Sequence, residues 1–260
     1  MAKKYNAPSV QKAFLMLRFI SRTNQGMGIS QLAGLLEMSK GTVHGILSVL
    51  EELGALIRDP FSKKYTLGPT LFELGKSAYA ELELEDIARP VMEKLMKRTG
   101  TSVFVGITNG QRVTILDIVE SNLDLKITAP RGSTVPLLAG AIGKVFLAAM
   151  DRRQAAEIIR KGLPSFTEHS ITNPDEYLVQ LELTRKRGYA VDDEEYIAGV
   201  RAAAAPLQGK QGNGYAIWAV GFKSVLNDDN MAKLTTSIME AARSINGQLK
   251  DQLLLNLPAA

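Results

Sequence analysis

Within the first seventy residues the apolar pattern switches period, and that switch restricts the chain to few folds. Val43, Ile46, Leu47, Leu50 and Leu53 recur at helical spacing until Gly54 ends the run. Immediately afterwards, Ala55–Arg58 and Lys63–Leu67 read as short strands about Asp59-Pro60-Phe61-Ser62, a turn with proline at a favoured position. Two more helical stripes precede the switch. Val10, Phe14, Leu17, Phe19 and Ile20 mark a helix from Ser9 to about Arg22, and Gly26-Met27-Gly28 breaks it. Leu32, Ala33, Leu35 and Leu36 mark a second helix, with Ser30 placed as its cap. Glu37-Met38 makes a short turn to Ser39, which caps the third. The outward face of that third helix (Lys40, Gly41, Thr42, His44, Gly45, Ser48) is small, polar and cationic. Two short helices across a tight turn, followed by a hairpin, form the layout of a winged helix-turn-helix.

Charge is distributed to match. Residues 1–80 hold 10 basic and 5 acidic side chains, while residues 81–260 hold 21 and 22, so the whole excess behind the net +4 lies in the first third. Such asymmetry points that third at a polyanion. Double-stranded DNA is the expected partner. Lys40, Thr42, His44 and Ser48 are the candidates for reading bases, and Ser39 and Gly41 sit at the helix end that approaches phosphate. Arg58, Lys63 and Lys64 would touch the backbone from the wing. A protein-docking winged helix is the competing reading of the same pattern.

After Gly68-Pro69, the stripe Leu71, Leu74, Ala78, Leu82 predicts a connecting helix over about 70–86, solvated or facing a second subunit. Ile87, Val91, Leu95 and Met96 predict another that stops at Gly100, with Pro90 near its first turn or kinking it. Strands follow at Ser102–Ile107 and Val113–Val119 around an Asn109-Gly110 hairpin turn, and a third is expected at Leu125–Ala129. Pro136–Met150 reads as a buried helix, with helices capped by Asp151 and opened by Pro174 behind it. Further strands are expected at Tyr189–Asp192, Val200–Pro206 and Tyr215–Phe222, then a helix from about Asp228 to Leu254. This is an α+β chain with an antiparallel sheet. Its expected domains are 1–69, a linker at 70–86, and 87–260.

Several chemistries have no residues to carry them. There is no cysteine, which removes thiolate catalysis, disulfides and cysteine-ligated metals, and with two histidines a His-rich metal cage is out of reach. Gly143-Lys144 lacks the first glycine and the hydroxyl of a phosphate loop, since Leu138 and Val145 hold those places. Gly209–Gly214 reads as a turn and His169 as a polar residue on the surface. Asp192-Asp193-Glu194-Glu195 offers paired carboxylates, yet no nucleophile motif accompanies it, and a carboxylate run is ordinarily solvated. No cofactor and no enzymatic activity are expected. The apolar stretch Ala139–Met150 is broken by Lys144 and too short to span a bilayer, and Met1–Tyr5 lacks the apolar segment of a signal peptide, so a cytoplasmic protein without membrane contact is expected.

Four segments in order resemble the IclR family of bacterial transcriptional regulators. They are Ser39–His44, Lys64–Gly68, Pro136–Lys144, and Gly188–Glu195 with Gly199-Val200 and Ala204-Ala205-Pro206. The resemblance implies a homodimer or dimer of dimers, a winged helix on palindromic operators, and a GAF-like effector domain with a curved sheet flanked by helices. Carried over by position, the effector pocket would be lined by Ala141, Ile142, Asp192, Val200, Ala202, Trp218 and Val220, with Ile127 and Leu125 as looser candidates. Trp218, Val220 and Ala202 stand where members that bind small oxoacids show serines and a cysteine, which tilts the effector toward an aromatic or largely apolar molecule. Gly45 stands where an arginine is common. The expected function is a ligand-responsive regulator of a catabolic operon, acting as a repressor. An activator or dual regulator sensing a small organic acid, and an enzyme using Asp192 or Glu194, are the alternatives.

Overall fold

The amino-terminal helices form where the stripes place them. In the computed structural model, which describes residues 7–80, 84–208 and 214–255, they are α1 (Pro8–Ile20), α2 (Ile29–Leu36) and α3 (Lys40–Glu52). Met16, Ile20, Leu32, Val43 and Leu47 meet in one core with Leu56 and Tyr65 of the wing. The α2 cap differs from expectation. Gly28 is the capping residue, its N–H donating to Gln31 Oε1 at 2.9 Å, and Ser30 lies inside the helix. Ser39 does cap α3, with Oγ accepting the Thr42 N–H at 3.1 Å. Losing that acceptor costs about 1 kcal/mol in comparable helices. Ser39→Ala is therefore expected to lower the melting point of this unit by a few degrees, measurable by calorimetry.

Strands β1 (Leu56–Arg58) and β2 (Tyr65–Leu67) form the wing as an antiparallel pair, with Arg58 opposite Tyr65. The predicted connecting helix is α4 (Pro69–Ala80), and α5 (Leu84–Thr99) is a separate helix. Residues 81–83, where the linker expectation continues, lie outside the described residues. Pro90 falls in the interior of α5 rather than its first turn, where it cannot supply the N–H that Asp86's carbonyl would otherwise accept. Contacts divide the chain into two units, Met1–Leu82 and Glu83–Ala260.

The second unit is built on six antiparallel strands in the order β5-β4-β3-β8-β7-β6. These are β3 (Ser102–Thr108), β4 (Arg112–Val119), β5 (Thr134–Pro136), β6 (Ala190–Asp193), β7 (Val200–Leu207) and β8 (Tyr215–Phe222). The strand expected at Leu125–Ala129 is absent. That segment runs as a loop, tied by Lys126 and Thr128 to Glu120, and β5 takes the edge instead. The turn expected at Gly209–Gly214 falls almost wholly outside the described residues.

Side chains alternate across this sheet with period two. Phe104, Ala202, Ala204 and Trp218 share a core with α6 (Gly140–Ala149), α7 (Arg152–Arg160) and α8 (Pro174–Arg187). The opposite parity, including Val103, Ala203, Ile217 and Ala219, is also buried, on the side where α5 and α9 (Asp228–Leu255) pack. The helix expected from Pro136 begins only at Gly140, because Thr134–Pro136 pairs with β4 and Ala139 turns back onto the Pro136 carbonyl. From Gly140 to Leu147 every residue of α6 is buried.

Candidate functional sites

Two places carry the chemistry-bearing residues, one in each unit. In the first unit, Val43 and Leu47 anchor α3 in the core, so Lys40, Gly41, Thr42 and His44 on its other side stay exposed and Ser48 is half-buried. Ser39 and Thr42 touch through their hydroxyls at 2.8 Å, which orders the first turn. Lys63 is exposed on the wing, and Lys64 is half-buried. Arg58 is less available than the sequence suggests: its guanidinium lies 5.7 Å from the Tyr65 ring centroid and its Nε is buried.

In the second unit, a cavity of about 220 Å³ opens between the sheet and α6. Ala141, Ile142, Asp192, Val200, Ala202, Trp218, Val220 and Ile127 all border it. Leu125 does not, and is exposed. Sequence reasoning missed Phe104, Ile115, Thr128, Ala129, Val135, Ala139, Tyr196 and Ile197, which complete the wall. For Phe104 a signal existed, since its parity in a predicted strand fixes its face. For the loop residues there was none, because a loop has no period.

Trp218 both packs and lines. Its ring stacks on Phe104 with centroids 5.3 Å apart and planes 9° apart, forming one flat wall. Gly106 makes room for it, since a Cβ there would lie 2.9 Å from the ring and 2.6 Å from the Thr114 carbonyl oxygen.

The acidic run Asp192–Glu195 is not the solvated loop its composition suggests. Asp193 pairs with Arg201 at 2.7 Å, Glu194 pairs with Lys223, and Glu195 pairs with Lys144 at 2.5 Å. Lys144, only 2% exposed, also donates to the Val191 carbonyl at 2.9 Å. Asp192 is 5% exposed and its Oδ1 accepts the Glu195 N–H at 2.7 Å. Burial, and then the charge of Glu195, push its pKa up to about 6. Its Oδ2 lies against the start of α6, where a Cβ on Gly140 would come within 1.9 Å of it. Gly140 also has a φ of +48°, so glycine is required there twice over. Tyr177 of α8 completes the polar cluster. Burial, with Glu195 and Asp192 nearby, holds its phenol above the ordinary range, and its hydroxyl has no partner among the described residues.

His169 is exposed, with its Nε2 3.7 Å from Glu168 and 4.0 Å from Glu194. Among the described residues, no acidic or histidine cluster is arranged to hold a metal ion, and no helix is long and apolar enough to cross a membrane.

Comparison with known proteins agrees with this architecture. The model of the IclR helix-turn-helix domain matches residues 9–60, and that of the bacterial transcriptional regulator IclR C-terminal domain matches residues 76–247. The chain is 31% identical over 243 residues to the HTH-type transcriptional regulator KdgR of Dickeya chrysanthemi, covering 93% of this chain and 79% of that protein. The solved IclR transcriptional regulator of Alicyclobacillus acidocaldarius is 26% identical with a TM-score of 0.77, covering 94% of this chain and 99% of its own. An IclR homologue from Microbacterium hydrocarbonoxydans, solved with 4-hydroxybenzoate, shares the fold at 20% identity and a TM-score of 0.78, covering 94% and 99%. With both domain models matching in order along one chain, this protein belongs to the IclR family of bacterial transcriptional regulators.

Proposed function

We propose that α3 and the wing bind an operator duplex, and that the cavity beneath α6 binds a small, largely apolar effector that changes operator affinity. The observation that carries this reading is the cavity itself: apolar walls and one buried carboxylate, in the unit that does not hold the cationic helix. A site of that kind orients a small molecule through few polar contacts. The exposed start of α3 supplies the other half, since the amino end of a recognition helix meets phosphate and base edges.

The protein acts as a repressor of a catabolic operon in the cytoplasm, as a homodimer or a dimer of dimers, and is not an enzyme. Val10 and Phe14 on α1 and Phe72 and Leu74 on α4 are exposed apolar side chains that support self-association of the first unit. Asp192 and Glu194 do not support the catalytic alternative: the cavity that holds the first is lined by no Ser, Cys, Lys or His, and the second is occupied by Lys223 and the Gly199 N–H.

The test is fluorescence anisotropy against duplex from the upstream intergenic region and against a scrambled duplex, at several salt concentrations. A preference for the native duplex that survives physiological salt is expected, where non-specific binding falls to roughly 10⁻⁴–10⁻⁶ M. Equal, steeply salt-dependent binding to both would count against an operator there. For the cavity, Ala202→Trp is expected to abolish effector-induced thermal stabilisation while leaving operator affinity of the free protein unchanged. An unaltered melting shift in that variant would place the effector elsewhere. Effector coupling of this class is typically about 5–150-fold in affinity.

A further inference from the structure

The charges around the cavity favour one class of ligand. Among the residues lining it there is no Lys, Arg or His, and Asp192 is the one carboxylate. Lys144, the cation buried beside Asp192, is taken up by Glu195 and the Val191 carbonyl. The amino end of α6 would ordinarily draw an anion, but Asp192 Oδ2 lies beside Gly140 there, so an anion at that end would meet a carboxylate at close range. The Thr128 hydroxyl is donated to Glu120. A ligand carboxylate in this space would add a second buried negative charge with no counter-charge, an arrangement that is strongly disfavoured. A neutral hydroxyl has no such cost and finds an acceptor in Asp192. The stacked Phe104–Trp218 wall is flat, and 220 Å³ exceeds the roughly 150 Å³ cavity that takes benzene by enough for one substituted ring.

We infer that the cavity selects a small uncharged ring bearing a hydroxyl that donates to Asp192, and discriminates against ring carboxylates. This rests on the reading of the cavity as the effector site.

The test is isothermal titration calorimetry on the full chain with 4-methylphenol and 4-hydroxybenzoate, which share a phenol and differ in methyl against carboxylate. At pH 8, 4-methylphenol is expected to bind at least about tenfold tighter, a factor equivalent to one pK unit of interaction. At pH 5, Asp192 gains a proton, the acceptor is weakened and the repulsion relieved, so the gap narrows from both sides. Glu195, Lys144 and Tyr177 are the titratable groups facing Asp192, and all three are present in both titrations. In Asp192→Asn the preference is expected to fall to about threefold or less.

Tighter binding of 4-hydroxybenzoate at pH 8 would overturn the selectivity while leaving the cavity as the effector site. Selectivity unchanged in Asp192→Asn would remove Asp192 from it, and no heat from either ring would overturn the ligand class. Ring binding that persists unaltered in Ala202→Trp would instead count against the cavity reading itself. The wild-type comparison of the two rings needs no variant and stands even if Asp192→Asn does not fold.

Discussion

Lys144→Met is expected to lower the unfolding free energy of the second unit by about 3–5 kcal/mol, the usual result of removing one partner from a buried ion pair. Lys144 lies in a helix whose first eight residues are all buried, and its ammonium sits 2.5 Å from Glu195. Methionine fills the same length of space, so the loss comes from the carboxylate left behind rather than from a void. Glu195 would then face Asp192 with no cation between them. Domains of this size have only about 5–15 kcal/mol in total, so the variant should be close to unfolding at growth temperature. Urea titration followed by far-UV circular dichroism measures the loss. Lys144→Met combined with Glu195→Gln is expected to be more stable than Lys144→Met alone, because the second change removes the orphaned charge. A loss below about 1 kcal/mol, or no recovery in the pair, would show that the ion pair is not what holds α6 to the loop after β6.

The second large effect lies in the first unit. Replacing Lys40, Thr42 and His44 together by alanine is expected to weaken specific operator binding by at least about 10²-fold, since a base contact contributes about 1–3 kcal/mol. All three side chains are exposed, so the fold should survive and the melting point of the unit should move little. The salt dependence should become shallower by about one phosphate contact, that of Lys40. Affinity within about threefold of wild type would favour the protein-docking reading of the winged helix, as a recognition face cannot lose three such groups without consequence.

The two sites were not equally readable from the residues. The α3 face could be seen because burial imposes a period: Val43 and Leu47 fix which side points inward, and Lys40, Thr42 and His44 follow. The cavity wall required the resemblance to known regulators, because Ala141 and Ala202 on their own look like ordinary core. The Leu125–Ala129 segment shows where pattern reading fails, for a loop that carries apolar side chains to a cavity resembles a strand in composition while pairing with nothing. The acidic run after Val191 failed for the opposite reason. Its partners Lys144, Arg201 and Lys223 are remote in sequence for two of the four carboxylates, so no local spacing could reveal that the charges are matched. A single lysine inside an apolar helical stretch was the available signal, since a buried cation needs a buried partner, but it was weighed only against a phosphate loop.

Trp218 is the one tryptophan in the chain, and its indole forms a wall of the cavity against Phe104. The seven tyrosines also emit, but under excitation selective for indole the emission of the whole protein originates at this spot, and the winged helix contributes none. An occupant laid on that wall would displace solvent from the ring and alter both wavelength and yield, while duplex binding would leave them alone unless the two events are coupled. The molecule thus carries its own optical probe: a spectral change on adding operator, with no effector present, would report communication between the units without any attached dye.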